Sequence, residues 1–252
     1  MEKDFADRAA LVTGAGTGIG RATAIALAGR GAFVGVHYNN SADGAANTLD
    51  VIRESGGEGV LVHADIGDAD QVEAAVAKVV ETAGRLDILV NNAGSPIERA
   101  KIEDCSLALW NQVITTNLTG TFLVTQQAIP HLRKTGNGAI VNNLSLAVQT
   151  GGANGAGAYA VSKGGLQVLT RTLARELAPE IRTNSVMPGV IETEHHEQFT
   201  TPERMEAYRQ ETPMQRNGQA AEAAATIAFL ASDAASFLNG AILDINGGRF
   251  LR

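Results

Sequence analysis

Ser145, Tyr159 and Lys163 are the residues whose types and spacing could do proton chemistry on an oxygen atom. Tyr159 and Lys163 stand four apart in a stretch of helical character, so they share one helix face and the phenol and ammonium can meet. A free tyrosine has a pKa of about 10, too high to exchange protons readily at neutral pH. A cation within a few ångströms favours the phenolate and lowers that pKa, towards the range where general acid–base catalysis works. A nearby serine hydroxyl could hydrogen-bond the same substrate oxygen. On their own, these residues more simply describe a helix with a core tyrosine and a solvated lysine. The elements that must position them decide between the two.

An apolar run at 139–144 delivers Ser145 to the end of a strand, a glycine-rich loop follows, and a helix over 158–178 carries Tyr159 and Lys163. The same alternation fills the chain. Strands are expected at 9–12, 32–37, 59–63, 86–90, 182–187 and 241–245, and helices at 18–29, 42–54, 69–83 and 220–231. The long segment 104–134 reads as mostly helix, which Pro130 should bend near its end. The strands are continuous apolar runs, so both sheet faces are covered. Repeated β–α units with short connections imply an α/β fold: one Rossmann-type, doubly wound parallel sheet of about seven strands with helices on both faces. The expectation is a single domain spanning 1–252, interrupted only by a polar insert at 190–218 with a short helix near 203–210. Ligands bind at the carboxyl ends of such strands, so the insert reads as a substrate lid.

The chain carries 28 glycines and only 4% aromatic residues, which favours close helix–sheet packing. A formal charge of −7 without any basic run argues against nucleic acid or an anionic membrane as partner. No apolar signal core opens the sequence and no run reaches the length of a membrane span. The single cysteine, Cys105, fits a reducing compartment. A soluble cytoplasmic protein is expected.

The first strand runs into Thr13-Gly14-Ala15-Gly16-Thr17-Gly18-Ile19-Gly20, which opens a helix. Glycines there let backbone N–H groups approach a pyrophosphate, and a helix amino terminus favours its charge. Further on come Asp65-Ile66, Asn91-Asn92-Ala93-Gly94, Asn117, Ser145, Tyr159 with Lys163, and Pro188-Gly189 with Thr193. Taken in this order across essentially the whole chain, these motifs resemble the short-chain dehydrogenase/reductase superfamily. Pro188-Gly189-Val190-Ile191-Glu192-Thr193 and Asn246-Gly247-Gly248 resemble in particular its 3-oxoacyl-(acyl carrier protein) reductase-like group.

The resemblance implies that Tyr159 gives a proton to a ketone oxygen or takes it from an alcohol. Lys163 would lower the Tyr159 pKa and bind the nicotinamide ribose, Ser145 would hydrogen-bond the reacting oxygen, and Asn117 would hold a water linking Lys163 to solvent. The cofactor would lie along Gly14, Gly16, Thr17, Gly18, Ile19 and Gly20. Asp65 and Ile66 would flank the adenine, Asn92 the ribose, and Ile191 with Thr193 the carboxamide, with Gly94, Pro188 and Gly189 also at the cofactor. One departure concerns the serine. Family members usually place it 13 residues before the tyrosine, whereas Ser145 lies 14 before Tyr159 and Leu146 takes the usual position. One extra residue in the glycine-rich loop accounts for this, and Ser145 keeps its place at the strand end.

An NAD site usually has an acidic residue about 20 positions past the glycines, on the ribose 2′-hydroxyl. Here Tyr38 stands where the carboxylate would be, followed by Asn39, Asn40 and Ser41, which can hydrogen-bond a 2′-phosphate. No Arg or Lys lies between Gly31 and Ile52 to complete the argument. NADP(H) is favoured over NAD(H).

Glu194-His195-His196-Glu197 invites a metal, but adjacent histidines point apart and the zinc spacing is missing. They are read as lid residues, with no metal site. His37, His63 and His131 are read as structural. The substrate is a small carbonyl or alcohol, with a carrier-bound 3-oxoacyl chain first and a sugar, polyol or steroid alcohol as the alternative. An acidic carrier would need a basic patch, for which Arg99, Lys101, Arg133 and Lys134 are candidates. The resemblance implies a homotetramer, which the apolar helix 223–231 and Phe250-Leu251 would fit. A cofactor-binding sensor without catalysis would lack one of the Ser, Tyr or Lys.

Overall fold

The computed structural model describes residues 3–193 and 200–251. In chain order the elements are β1 (Ala9–Val12), α1 (Gly18–Gly29), β2 (Phe33–Tyr38), α2 (Ala42–Glu54), β3 (Glu58–His63), α3 (Ala69–Ala83), β4 (Ile88–Asn91) and α4 (Leu107–Ile114). There follow α5 (Gly120–Thr135), β5 (Gly138–Asn143), α6 (Ala147–Thr150), α7 (Gly157–Glu176), β6 (Ile181–Pro188) and β7 (Ile191–Glu192). The last are α8 (Pro202–Glu211), β8 (Gly218–Gln219), α9 (Ala220–Ala231) and β9 (Ile242–Ile245).

Alternate residues of a strand face opposite sides, and here both sides are apolar. Ala10, Val12, Val34, Val36, Ile88, Val90 and Val141 join one buried cluster, closed by Ala24 and Leu27 of α1 and by Ile227 and Ala228 of α9. Leu11, Leu89 and Ile140 join the other, closed by Val72, Val76 and Val79 of α3, Val124 and Leu132 of α5, and Leu173 of α7. The result is a seven-stranded sheet in the order β3-β2-β1-β4-β5-β6-β9, with every pairing parallel. Strand order runs outward in opposite directions from β1 and β4, which opens a crevice at their carboxyl ends.

The segment expected to be mostly helix is helical from Leu107 to Thr135, with one change of winding. Residues Thr115–Thr119 form a π turn between α4 and α5. Asn117 sits in that turn, and its amide reaches back to Val113 O (2.8 Å) and across to Ser95 O (2.7 Å). Such wide turns gather at functional sites. Pro130 lies inside α5, which continues to Thr135. The apolar side of α9, read as a candidate subunit contact, is instead core of the same chain. In the insert, β7 pairs with β8, and Thr201 Oγ1 accepts the Arg204 N–H to cap α8. Glu194, His195, His196 and Glu197 lie outside the described residues.

The second strand runs one residue past its expected end, and its last two side chains take opposite faces of the pleat. His37 turns towards the glycine turn, accepting the Gly14 N–H at Nδ1 (3.1 Å) and donating from Nε2 to Ala64 O (3.1 Å). Tyr38 falls on the other face of the pleat and packs over the His63 ring, with centroids 5.2 Å apart. Burial of His37 holds its pKa down at about 4. The unfolded imidazole takes a proton near 6.5, so between 6.5 and 4 the unfolded chain binds more protons. The stabilisation is therefore complete above pH 6.5 and is lost as pH falls to 4, by about 3 kcal/mol. Urea unfolding midpoints should fall more steeply over that window in the native chain than in His37→Gln. Parallel curves would show that His37 is not held neutral by the fold.

Candidate active site

A cleft of about 1140 Å³ opens at the carboxyl edge of the sheet and takes residues from every strand end between β1 and β6. Ser145, just past β5, lines it together with Tyr159 and Lys163 from the first two turns of α7. A glycine-rich loop separates Ser145 from Tyr159. The loop folds α6 as a single turn, then runs through left-handed backbone at Gly151, Gly152, Asn154 and Gly155.

Lys163 is only 2% exposed. Its Nζ donates to Asn143 O (2.7 Å) and lies 5.8 Å from the centre of the Tyr159 ring. Burial drives its pKa down to about 8. Burial likewise pushes the Tyr159 phenol above its ordinary value, against the pull of a hydrogen bond with Ser145 and of the Arg99 charge. The expected lowering by Lys163 is not what this geometry gives. The ammonium is engaged with a backbone carbonyl, and desolvation of the phenol outweighs the groups that favour its anion.

An asparagine network fixes the strand ends that hold this pair. Asn91 and Asn142 are in register on β4 and β5 and joined at 2.9 Å, and Asn143 Nδ2 donates to Asn92 Oδ1 at 2.9 Å. Asn92 Nδ2 in turn donates to Thr13 O and Gly14 O (3.0 and 3.1 Å), while Thr13 Oγ1 accepts the N–H groups of Asn92 and Ala93. Asn92 therefore lines the cleft with its amide already committed to the protein. Asn117 is fully buried behind the cleft wall. Its two amide protons go to Ser95 O and Val113 O, and its Oδ1 accepts the Ser95 N–H. A β-carbon on Gly94 would lie 2.5 Å from Asn117 Oδ1 and 3.0 Å from Lys163 Nζ, so both groups converge on the residue that has none.

Gly14, Thr17, Gly18 and Ile19 form one end of the cleft with Asn39, Asn40, Ser41, Asp65 and Ile66. Gly14 has φ +63°. Thr17 places no side chain on the first-turn amides of α1, which leaves that helix end uncapped by its own residue. Gly16 and Gly20 serve packing instead: a β-carbon on Gly20 would lie 2.1 Å from Gly14 O, and one on Gly16 would press on Ser41. Tyr38 does not reach the cleft, for the pleat reason given above. Pro188, Gly189, Ile191 and Thr193 line the opposite wall. The narrow glycine turn and uncapped helix end fit a dinucleotide.

Several cleft residues have no counterpart in the motifs. Arg204 and Tyr208 enter from α8 and Arg249 from the tail. His37 and Asn143 line the cleft from the strand ends, where Asn-Asn pairs closing two adjacent strands were the signal available. Of the four basic residues considered as a carrier patch, Arg99 lines the cleft. Arg133 and Lys134 close α5 where β5 begins, at the opposite sheet edge. Among the described residues there is no cluster of metal-binding side chains, and no helix is long and apolar enough to cross a membrane.

A family model described as enoyl-(acyl carrier protein) reductase matches residues 14–249. The chain is 40% identical to the uncharacterized oxidoreductase YgfF of Escherichia coli (strain K12), covering 95% of this chain and 99% of that one. It is 38% identical to the 3-oxoacyl-[acyl-carrier-protein] reductase FabG of Staphylococcus aureus (strain Mu50 / ATCC 700699), covering 97% and 98%. The solved structure of a 7 alpha-hydroxysteroid dehydrogenase complexed with NADH and 7-oxo glycochenodeoxycholic acid matches with a TM-score of 0.92 at 33% identity, covering 98% and 96%. From the glycine turn to the tail, then, the chain belongs to the short-chain dehydrogenase/reductase superfamily, in its 3-oxoacyl-(acyl carrier protein) reductase-like group, and is an oxidoreductase that moves hydride between a nicotinamide cofactor and a ketone or secondary alcohol.

Proposed function

We propose that Tyr159 is the proton donor and acceptor of this reaction, and that NADP(H) is the preferred cofactor. The observation that carries the first claim is the meeting of Ser145, Tyr159 and Lys163 on one cleft wall. Ser145 and Tyr159 present two hydroxyls to one substrate oxygen, and the phenol passes its proton to that oxygen during reduction. A nicotinamide bound beside Ile191 and Thr193 would supply the hydride, or accept it in the reverse direction. Lys163 acts as a fixed positive charge beneath the phenol and towards the ribose. Asn117 holds the loop after Gly94 in place, with Oδ1 the side-chain atom still able to take a water.

The cofactor reading is supported by the residues after β2. Asn39, Asn40 and Ser41 line the cleft there, without the carboxylate that would repel a 2′-phosphate. The insert at 190–218 is read as a lid on a single nucleotide-binding domain, with α8 carrying Arg204 and Tyr208 over the cleft. A cytoplasmic homotetramer suits this reading, with Phe237 and Leu251 among the apolar side chains left exposed on one chain. The name of the relative FabG puts a 3-oxoacyl thioester first as substrate. A guanidinium inside the cleft favours a second reading, a free oxo acid, developed below.

Replacing Tyr159 by Phe should lower turnover of ketones by about 100- to 10,000-fold while NADPH binding, followed by fluorescence, is retained. Retained turnover would remove Tyr159 from the chemistry, and tighter binding of NADH than of NADPH would reverse the cofactor assignment. Lys163 supplies a pH test. The folded chain releases its proton at about 8, the unfolded lysine only near 10.5. Between these values the unfolded state binds more protons, so the burial penalty is full below 8 and disappears as pH rises to 10.5. The stability of the native chain should therefore gain on that of Lys163→Met across this window. Identical profiles would mean that the ammonium is not held against its preference.

A further inference from the structure

Among the described residues that line the cleft there is one carboxylate, Asp65 beyond β3, and there are three guanidinium groups: Arg99, Arg204 and Arg249. Two of the three share one carboxylate. Arg204 and Arg249 both ion-pair with Glu211 and both stack on the Tyr208 ring, 4.6 and 4.5 Å from its centre. Arg99 differs. Among the described residues it has no carboxylate partner. Its Nη1 donates to Ala153 O (3.3 Å), and its Nε is closed off from water with no acceptor among the described residues. With Nε closed off, Arg99 offers an incoming carboxylate its outer Nη groups.

The loop that carries Arg99 is fixed in advance. Ser95 is held at both its N–H and its C=O by Asn117. Ile97 has φ +62°, a conformation that a β-branched residue adopts only where its surroundings enforce it, and its N–H donates to Ser95 Oγ (3.0 Å). Ala100 N–H then donates to Gly155 O (3.0 Å), in the loop between Ser145 and Tyr159. The guanidinium is thus tied to the catalytic wall, close enough for its charge to act on the Tyr159 phenol.

We propose that Arg99 binds a carboxylate on the substrate, and that the natural substrate is an oxo acid or the corresponding hydroxy acid rather than a neutral thioester or sugar. This rests on the reading of Tyr159 as the group that protonates the reacting carbonyl. Preorganised charge at a closed site is where a charged substrate gains most over its neutral analogue.

Straight-chain 3-, 4- and 5-oxo acids, each paired with its methyl ester, test the proposal with NADPH. For at least one chain length the native protein should favour the acid in kcat/KM. In Arg99→Gln that acid-over-ester preference should shrink by about 10- to 100-fold, mostly through KM, and Arg99→Lys should recover part of it. Equal losses on acid and ester, or a native preference for the ester at every length, overturn the proposal. Calorimetric titration of the same acids into the protein–NADP+ complex needs no turnover, and binding should weaken in Arg99→Gln. If no ketone is reduced yet the acids still bind native protein more tightly than Arg99→Gln, the Tyr159 reading fails and the carboxylate site stands. If ketones are reduced with no acid preference, the carboxylate site fails and the Tyr159 reading stands.

Discussion

An ammonium group that is 2% exposed and faces no carboxylate among the described residues must be held by dipoles, and its holder here is the carbonyl oxygen of Asn143. A single carbonyl is a weak counterweight to the desolvation of a full charge, as the fall of the Lys163 pKa to about 8 shows. Much of the site's construction follows from keeping that oxygen in place. Asn143 is the last residue of β5, paired in register with Val186 of β6, and its amide is fastened to Asn92 across β4. Asn92 is fastened in turn to the backbone of Thr13 and Gly14. One chain of hydrogen bonds thus runs from the glycine turn to the buried lysine. Strain in the lysine and order in the cofactor turn are parts of one arrangement.

The same chain explains why the site has so few adjustable parts. Gly94 must lack a side chain because Asn117 and Lys163 meet there. Gly20 must lack one because the Gly14 carbonyl lies against it. The π turn at Thr115–Thr119 lets Asn117 turn its amide onto Ser95, which fixes the loop leading to Arg99. Substitution at any of these points would be felt at the others, since buried polar networks are costly when partly satisfied.

The fold was legible because its signals are local and repeated. Continuous apolar strands with helical segments between them specify a covered parallel sheet, and Ala10, Leu11 and Val12 do divide between two cores. Ser145, Tyr159 and Lys163 were legible through residue type and spacing, and the three meet on the cleft wall. What escaped the sequence depends on register or on contacts between distant segments. His37 lines the cleft and Tyr38 does not, because they take opposite faces of β2, and a strand buried on both faces does not reveal in sequence which face meets the cleft. The mostly helical segment read at 104–134 gave no sign of its π turn, which is held by a partner 22 positions away in Ser95.

Charge tells a similar story at two scales. A chain with a formal charge of −7 is a poor partner for anionic polymers, yet among the described residues the walls of its cleft bring together Arg99, Lys163, Arg204 and Arg249 against one carboxylate, Asp65. Net charge governs what approaches from a Debye length away, whereas a recessed site is governed by the few groups that line it. Of these groups, Arg204 and Arg249 share Glu211, and Lys163 lies beneath Tyr159 against a backbone carbonyl. Arg99 is the guanidinium left without a carboxylate among the described residues. A guanidinium positioned by a strained loop is an improbable expense for a surface that needs only to be solvated. It is the expected expense for a site that must tell an acid from its ester.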